Sequence, residues 1–124
     1  MTAPGPSISS AGDPLLREEL EELVDTMCKA LNDAKRLTII YALRTGPHTV
    51  TQLCDAIQAP QPNTSQHLAT LRDRGLIRAD RRGSNVVYSL RHPKIVDAID
   101  LLRQVMADEH SRQQALRSRR QPGA

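Results

Sequence analysis

The amino-acid sequence predicts a mainly α domain closed by one small β-hairpin. Three observations carry that expectation. Apolar residues recur at spacings of three and four through most of the chain, the period drops to two between Ile77 and Leu90, and neither Phe nor Trp occurs. A core of Leu, Ile, Val, Ala and Met suits packed helices better than a sandwich. At 124 residues the chain has the size of one domain. It is small enough that a second copy would help bury its apolar faces.

Each element has a local cause. Residues 1–12, rich in Pro, Gly, Ser and Ala, predict a disordered N-terminal tail. Asp13 and Pro14 form an N-cap and first-turn pair, with Glu18 and Glu19 where a helix dipole favours negative charge. Leu16, Leu20, Leu23, Val24, Met27 and Leu31 then mark an amphipathic helix over about 14–31. Asn32 and Asp33 break it and cap a second helix at 34–45, whose Leu37, Ile40, Tyr41 and Leu43 predict central burial. Gly46 and Pro47 stop that helix. Thr49 and Gln52 make a capping box for a short helix at about 50–58. Pro60 and Pro62 mark a tight turn into a further helix ending at Arg74, with Gly75 as its stop.

Strands at 77–82 and 85–90 flank Gly83 and Ser84, which have hairpin-turn chemistry. His92 and Pro93 open a last helix through about 116, with Ile95, Ile99, Leu102 and Met106 on one stripe. The expected domain covers 13–117, followed by a basic flexible tail at 118–124.

The helix after Pro60 is unusual in its first turns. Gln61, Asn63, Thr64, Ser65, Gln66 and His67 are all able to hydrogen-bond and all nominally uncharged. Capping a helix needs one or two such residues, not six. The order helix, helix, short helix, turn, polar-tipped helix, hairpin, helix (α-α-α-α-β-β-α) is that of a winged helix-turn-helix, in which the second helix of the unit lays its N-terminal residues in the DNA major groove. Base edges offer donors and acceptors, which short neutral polar side chains can read.

Charge agrees with this reading. Residues 13–33 carry seven acidic and two basic side chains, while 61–92 carry six Arg against two Asp and 111–124 add four Arg. Arg72, Arg78, Arg81 and Arg82 stand where phosphate contacts are expected. The expected partner is therefore double-stranded DNA.

The segments LNDAKRLTIIYAL, TVTQLCDAI, QPNTSQHLATLRDRGLI and RRGSNVVYSL resemble the ArsR/SmtB family of bacterial repressors over about 27–90. The likeness rests on a K-A-L-x-D-x-x-R-L opening, S-x-H-L in the polar-tipped helix, R-x-x-G-L at its end and R-R-G in the hairpin. It implies a homodimeric repressor that leaves its operator when an inducer binds, with the terminal helices as the interface. The stripes Leu16, Leu20, Leu23 and Ile95, Ile99, Leu102, Met106 fit such an interface by themselves. Ala34 stands where the family often has Pro, and Pro60 where it often has a capping Ser.

Inducer chemistry is less legible. The family's C-V-C metal motif falls on Thr49, Val50 and Thr51, whose hydroxyls are poor soft-metal ligands. A second family site, built from Asp and His of the last helix, leaves His92, Asp97, Asp108, Glu109 and His110 as candidates with different spacing. No metal or other cofactor is expected. Cys28 and Cys54 lie at apolar positions, either as core fillers or as a candidate redox switch.

No catalytic motif stands out, and the chain offers no Gly-rich phosphate loop, so an enzyme is not expected. Without a membrane-spanning run or a signal-peptide pattern, the chain reads as cytoplasmic. The alternatives are a winged-helix protein-interaction module and a metal-responsive repressor with a non-standard site.

Overall fold

The computed structural model describes residues 12–120. The expected N-terminal tail up to residue 11, and the last four residues of the C-terminal tail, lie outside the described residues. The chain divides into two compact units, Met1–Arg91 and His92–Ala124.

The first unit begins with α1, Pro14–Leu23, where the Leu15 amide donates to Asp13 Oδ1 at 2.9 Å. The same helical path continues through a π-helical stretch, Val24–Cys28, into α2, Lys29–Leu31. The Thr26 hydroxyl donates to the Glu22 carbonyl at 2.7 Å, and back-bonding of this kind loosens the backbone ladder where a π-turn sits. Helix α3, Ala34–Leu43, is capped by Asp33, which accepts from the Lys35 and Arg36 amides at 2.8 and 3.1 Å.

Helix α4, Val50–Ile57, opens with the expected capping box. The Gln52 amide donates to Thr49 Oγ1 at 3.3 Å and the Thr49 amide to Gln52 Oε1 at 2.9 Å. Its exit is less ordinary. Gln58 adopts a left-handed φ of 54° without being glycine, and the Ala59 amide reaches back to the Cys54 carbonyl at 3.2 Å. The Gln58 side-chain amide donates to the Asp55 carbonyl at 2.8 Å, a local bond that offsets part of the strain. Three residues separate Ile57 from α5, Gln61–Asp73.

Helix α5 ends in the Schellman arrangement. The Leu76 amide donates to the Leu71 carbonyl and the Gly75 amide to the Arg72 carbonyl, both at 3.0 Å, and Gly75 takes φ 79°. Leu76 and Ile77 are thereby delivered into the core as β2, Ile77–Arg82, begins. Strand β3, Asn85–Leu90, pairs antiparallel with β2 in the register Arg82↔Asn85 to Ile77↔Leu90. Gly83, at φ 64°, turns the corner between them.

A third strand was not expected from sequence. β1, His48–Thr49, pairs antiparallel with Tyr88 and Val87, so the strand order is β1-β3-β2. Two residues cannot show a period, and their strand character comes from the partner that β3 provides.

The core of this unit joins Ile39, Ile40 and Leu43 of α3 with Leu53 and Ile57 of α4, Leu68 and Leu71 of α5, and Leu76, Ile77 and Ala30. Central burial of α3 is as its composition predicts. Because α4 and α5 both bury one side on it, the angle between them is set by apolar packing.

The second unit is one long helix, α6, Lys94–Arg120. The Ile95 and Val96 amides bond the His92 and Pro93 carbonyls, so the expected start holds. Its end differs from expectation. Residues 118–120, expected in a flexible tail, continue the helix, and Arg117, Arg119 and Arg120 fill its last turn, where the helix dipole favours cations. Ile99 is buried, while Leu101, Leu102, Val105 and Met106 are exposed.

Candidate nucleic-acid interface

One side of α5 is committed to the core. Thr64, Leu68 and Leu71, at spacings of four and three, are buried. Helical geometry places Pro62, Gln66, Ala69 and Asp73 on the opposite side, and all four are exposed. Gln61, Asn63 and Ser65 are also exposed on the first turn or its flanks. Four of the six neutral polar residues therefore stand free for recognition.

The other two do not, for different reasons. Thr64 is 0% exposed, and its hydroxyl donates to the Pro60 carbonyl at 3.0 Å. That corrects its expected role: the methyl joins the core, the hydroxyl is satisfied within the helix, and neither can reach a base. His67 is half-buried, with Nδ1 3.5 Å from Arg36 Nη1. It faces α3 more than solvent, which weighs against the expected groove contact and for a packing role.

The expected phosphate-binding arginines are all exposed. Arg72 lies on the last turn of α5. Arg78 is engaged on the sheet surface, donating from Nε to Ser89 Oγ at 3.2 Å and pairing with Asp80 at 3.5 Å. Arg81 and Arg82 stand at the hairpin tip beside Gly83. The wing thus presents its positive charge at its far end, separate from the neutral surface of α5.

Two arginines that sequence reasoning had not singled out bind to this helix or its neighbours. Arg36 Nε donates to the Ala30 carbonyl at 2.5 Å and Nη2 to the Lys29 carbonyl at 3.1 Å, and the guanidinium lies 3.9 Å from Asp33. Arg74 Nη1 donates to the Asp25 carbonyl at 2.6 Å, across 49 residues of chain. The only sequence signal was the D-x-x-R spacing of Asp33 and Arg36, and nothing local marks Arg74.

Asp33 sits at the centre of these charges. Partial burial works to raise the pKa of its carboxyl. The Arg36 and Lys35 amides, aided by the charges of His67 and Arg36, prevail and hold it below the ordinary aspartate value.

Comparison with known proteins is consistent with this geometry. The family described as bacterial regulatory protein, arsR family, matches residues 33–79. The HTH-type transcriptional regulator NmtR of Mycobacterium tuberculosis is 37% identical over 87 residues, which covers 70% of this chain and 72% of NmtR. The chain belongs to the ArsR family of bacterial regulatory proteins.

Other ArsR-family relatives agree. The arsenic resistance transcriptional regulator ArsR1 of Pseudomonas putida is 33% identical over 93 residues, 75% of this chain and 71% of ArsR1. Among solved structures, the homodimeric winged helix-turn-helix DNA-binding domain of Mb0332 from Mycobacterium bovis, a possible ArsR-family transcriptional regulator, has a TM-score of 0.66 at 29% identity. It covers 83% of this chain and 94% of that one. M. tuberculosis Rv0081 has a TM-score of 0.68 at 27% identity, covering 82% and 97%. Membership makes this chain a transcription regulator with a winged helix-turn-helix, not an enzyme.

The remaining candidates of this ArsR-family chain divide by exposure. On α1, Leu20 and Leu23 are exposed and Leu16 is half-buried. On α6, Leu102 and Met106 are exposed at 68% and 55% and Ile95 is half-buried, but Ile99 is only 6% exposed. Ile99, already buried in one chain, has little surface left to lose to a partner. Val24, Leu101 and Val105 are exposed beside the predicted stripes.

Cys28 is exposed on the π-helical turn and Cys54 is half-buried on α4, both as free thiols. Cys28 is thus no core filler. Among the described residues no three His, Cys, Asp or Glu side chains gather as a metal site. His92, Asp97, Asp108 and His110 remain spread along or before α6, and Glu109 is occupied by two Arg112 nitrogens, Nε and Nη2. No helix among the described residues is long and apolar enough to cross a membrane.

Replacing Asp33 by Ala should lower the unfolding free energy by about 1 kcal/mol at neutral pH through loss of the α3 cap. Because the folded carboxyl is held below its unfolded value, its stabilisation is complete above the ordinary carboxylate range and lost as pH falls through the lowered value. Urea unfolding across pH should therefore show wild type and variant converging below about pH 4. A constant difference down to the lowest pH would assign the cap another origin.

Proposed function

We propose that this chain is a sequence-specific repressor of double-stranded DNA, acting as a homodimer in the bacterial cytoplasm and released from its operator by an inducer. The observation that carries the reading is the division of α5. Its buried side is apolar and its first turns present Gln61, Asn63, Ser65 and Gln66, with Arg72 and the wing's Arg81 and Arg82 exposed nearby. Neutral donors and acceptors suit base edges, and arginines at a hairpin tip suit phosphates. For the dimer, support comes from the exposed apolar residues of α1 and α6 and from the homodimeric relative.

For the inducer, the exposed Cys28 thiol favours an oxidant or persulfide over a metal. Cys28 lies three residues after Asp25, whose carbonyl holds Arg74 of the α5 C-cap. Formation of a Cys28–Cys54 bridge would remove two electrons and two thiol protons to the oxidant, and would tie α4 to the π-helical turn.

Fluorescence anisotropy on labelled DNA from the chain's own upstream region tests the core of the proposal. Binding should weaken steeply with salt, as expected when roughly 6 to 10 phosphates are neutralised. Gln66→Ala should relax sequence preference at one position by about 1–3 kcal/mol. Replacing Arg81 and Arg82 together should weaken all duplexes alike and flatten the salt slope by about two. Salt-insensitive binding would favour the protein-interaction module instead.

Repeating the titration after a mild disulfide donor, with intact mass on the same sample, tests the thiol. Release of DNA with a mass loss of two hydrogens is expected, and unchanged binding despite a Cys28–Cys54 bridge would remove the thiols from induction. Leu102→Asp should convert the dimer to monomer in sedimentation while leaving the helical circular dichroism intact. An unaltered sedimentation profile would place the interface elsewhere.

A further inference from the structure

The recognition helix is tethered along one flank, not only buried on one side. His67 and Arg74 are seven residues apart, two turns and about 10 Å along the helix, so they share a stripe. That stripe lies between the buried side of Thr64, Leu68 and Leu71 and the outer side of Gln66. At its N-terminal end His67 meets Arg36 Nη1 at 3.5 Å, and Arg36 itself is bonded to the Ala30 and Lys29 carbonyls. At its C-terminal end Arg74 donates to the Asp25 carbonyl at 2.6 Å. Both tethers end on one short segment, Asp25 to Ala30, which contains the π-helical turn and the close of the N-terminal helical path.

We propose that Arg36 and Arg74 are positioning residues for DNA reading, fixing the rotation of α5 about its axis by holding one flank to the backbone carbonyls of residues 25–30. Apolar packing of Leu68 and Leu71 resists pulling the helix away, but smooth aliphatic surfaces tolerate a small roll. Directional hydrogen bonds do not. Gln66 lies well around the helix from the tethered stripe, so a roll about the axis carries its amide across the groove floor.

Arg36 is suited to its end because a guanidinium offers five donors in one plane, enough for two carbonyls, the Asp33 carboxylate and the His67 ring. A lysine ammonium, with three donors on a single atom, cannot reach all four. The segment that receives both tethers also connects directly to α1, whose exposed Leu20 and Leu23, with Val24 of the π-helical stretch, belong to the proposed dimer surface. A shift of that helix is thereby transmitted to the reading angle through two bonds.

The inference rests on the DNA-reading function, and its test separates the two. Arg74→Met and Arg36→Lys would be compared with wild type on operator and on a scrambled duplex across salt, and by amide hydrogen exchange without DNA. Arg74 is the cleaner site because its bond is at the surface; Arg36→Lys keeps the positive charge should Arg74→Met prove unstable. Each variant should lose about tenfold in the ratio of operator to scrambled affinity, with the scrambled affinity and salt slope unchanged. Exchange in residues 65–73 should quicken by several-fold.

Equal loss on both duplexes with a slope lowered by about one would make Arg74 an ordinary phosphate contact and overturn the proposal. Unchanged exchange in α5 would overturn it too. A wild-type protein that does not prefer its operator would refute the DNA reading alone, and the exchange result would still decide whether the tether exists.

Discussion

Burial of one side of α5 is the constraint from which the rest of the interface follows. Thr64, Leu68 and Leu71 leave solvent on α3 and α4, and a helix with one side fixed has its opposite side chosen for it. The same burial determines how the chain leaves the helix. The Leu76 amide returns to the Leu71 carbonyl, so the residue that anchors the helix also anchors the start of the sheet. The hairpin with Arg81 and Arg82 therefore starts from the same buried anchor as the helix that carries Gln66. Recognition of a duplex needs such a relation, because base contacts and backbone contacts must be made together.

Polar interactions refine what the apolar core leaves loose. Asp33 caps α3, Arg36 gathers two helix-terminal carbonyls, and Arg74 reaches a carbonyl of the π-helical turn. Carbonyls at the end of a helix lack intrahelical donors and are available for such bonds. An exposed bond of this type adds about 1 kcal/mol or less to stability. Its larger effect is on orientation, since it has a preferred direction and dispersion contacts have little. The acidic balance of residues 13–33 and the arginines of 61–92 also keep like charge apart along the chain.

Much of this was legible from residue order. Asp13 before Pro14, the Thr49–Gln52 box, Gly75 and Gly83 are local signals whose physics acts within a few residues. The corresponding helix and strand bounds match the expected ones closely. Non-local features were not legible. β1 exists only because Tyr88 and Val87 lie beside it, and the π-helical turn falls within an unbroken apolar pattern that gives no local sign of it. Helix α6 runs past its expected end because arginine clusters, which resemble a tail in sequence, also suit a helix C-terminus.

The sequence by itself determined the kind of surface this ArsR-family regulator carries: a helix with neutral polar first turns, followed by an arginine-tipped hairpin. Composition and spacing decide that, because they fix which chemical groups can lie on one helix. Only the tertiary structure decided which of those groups are free. Thr64 looks like its neighbours in the sequence but is buried, Ile99 belongs to an apolar stripe but is already covered, and His67 turns toward Arg36. Periodicity tells which residues share a side of a helix. What that side meets is set by the other elements.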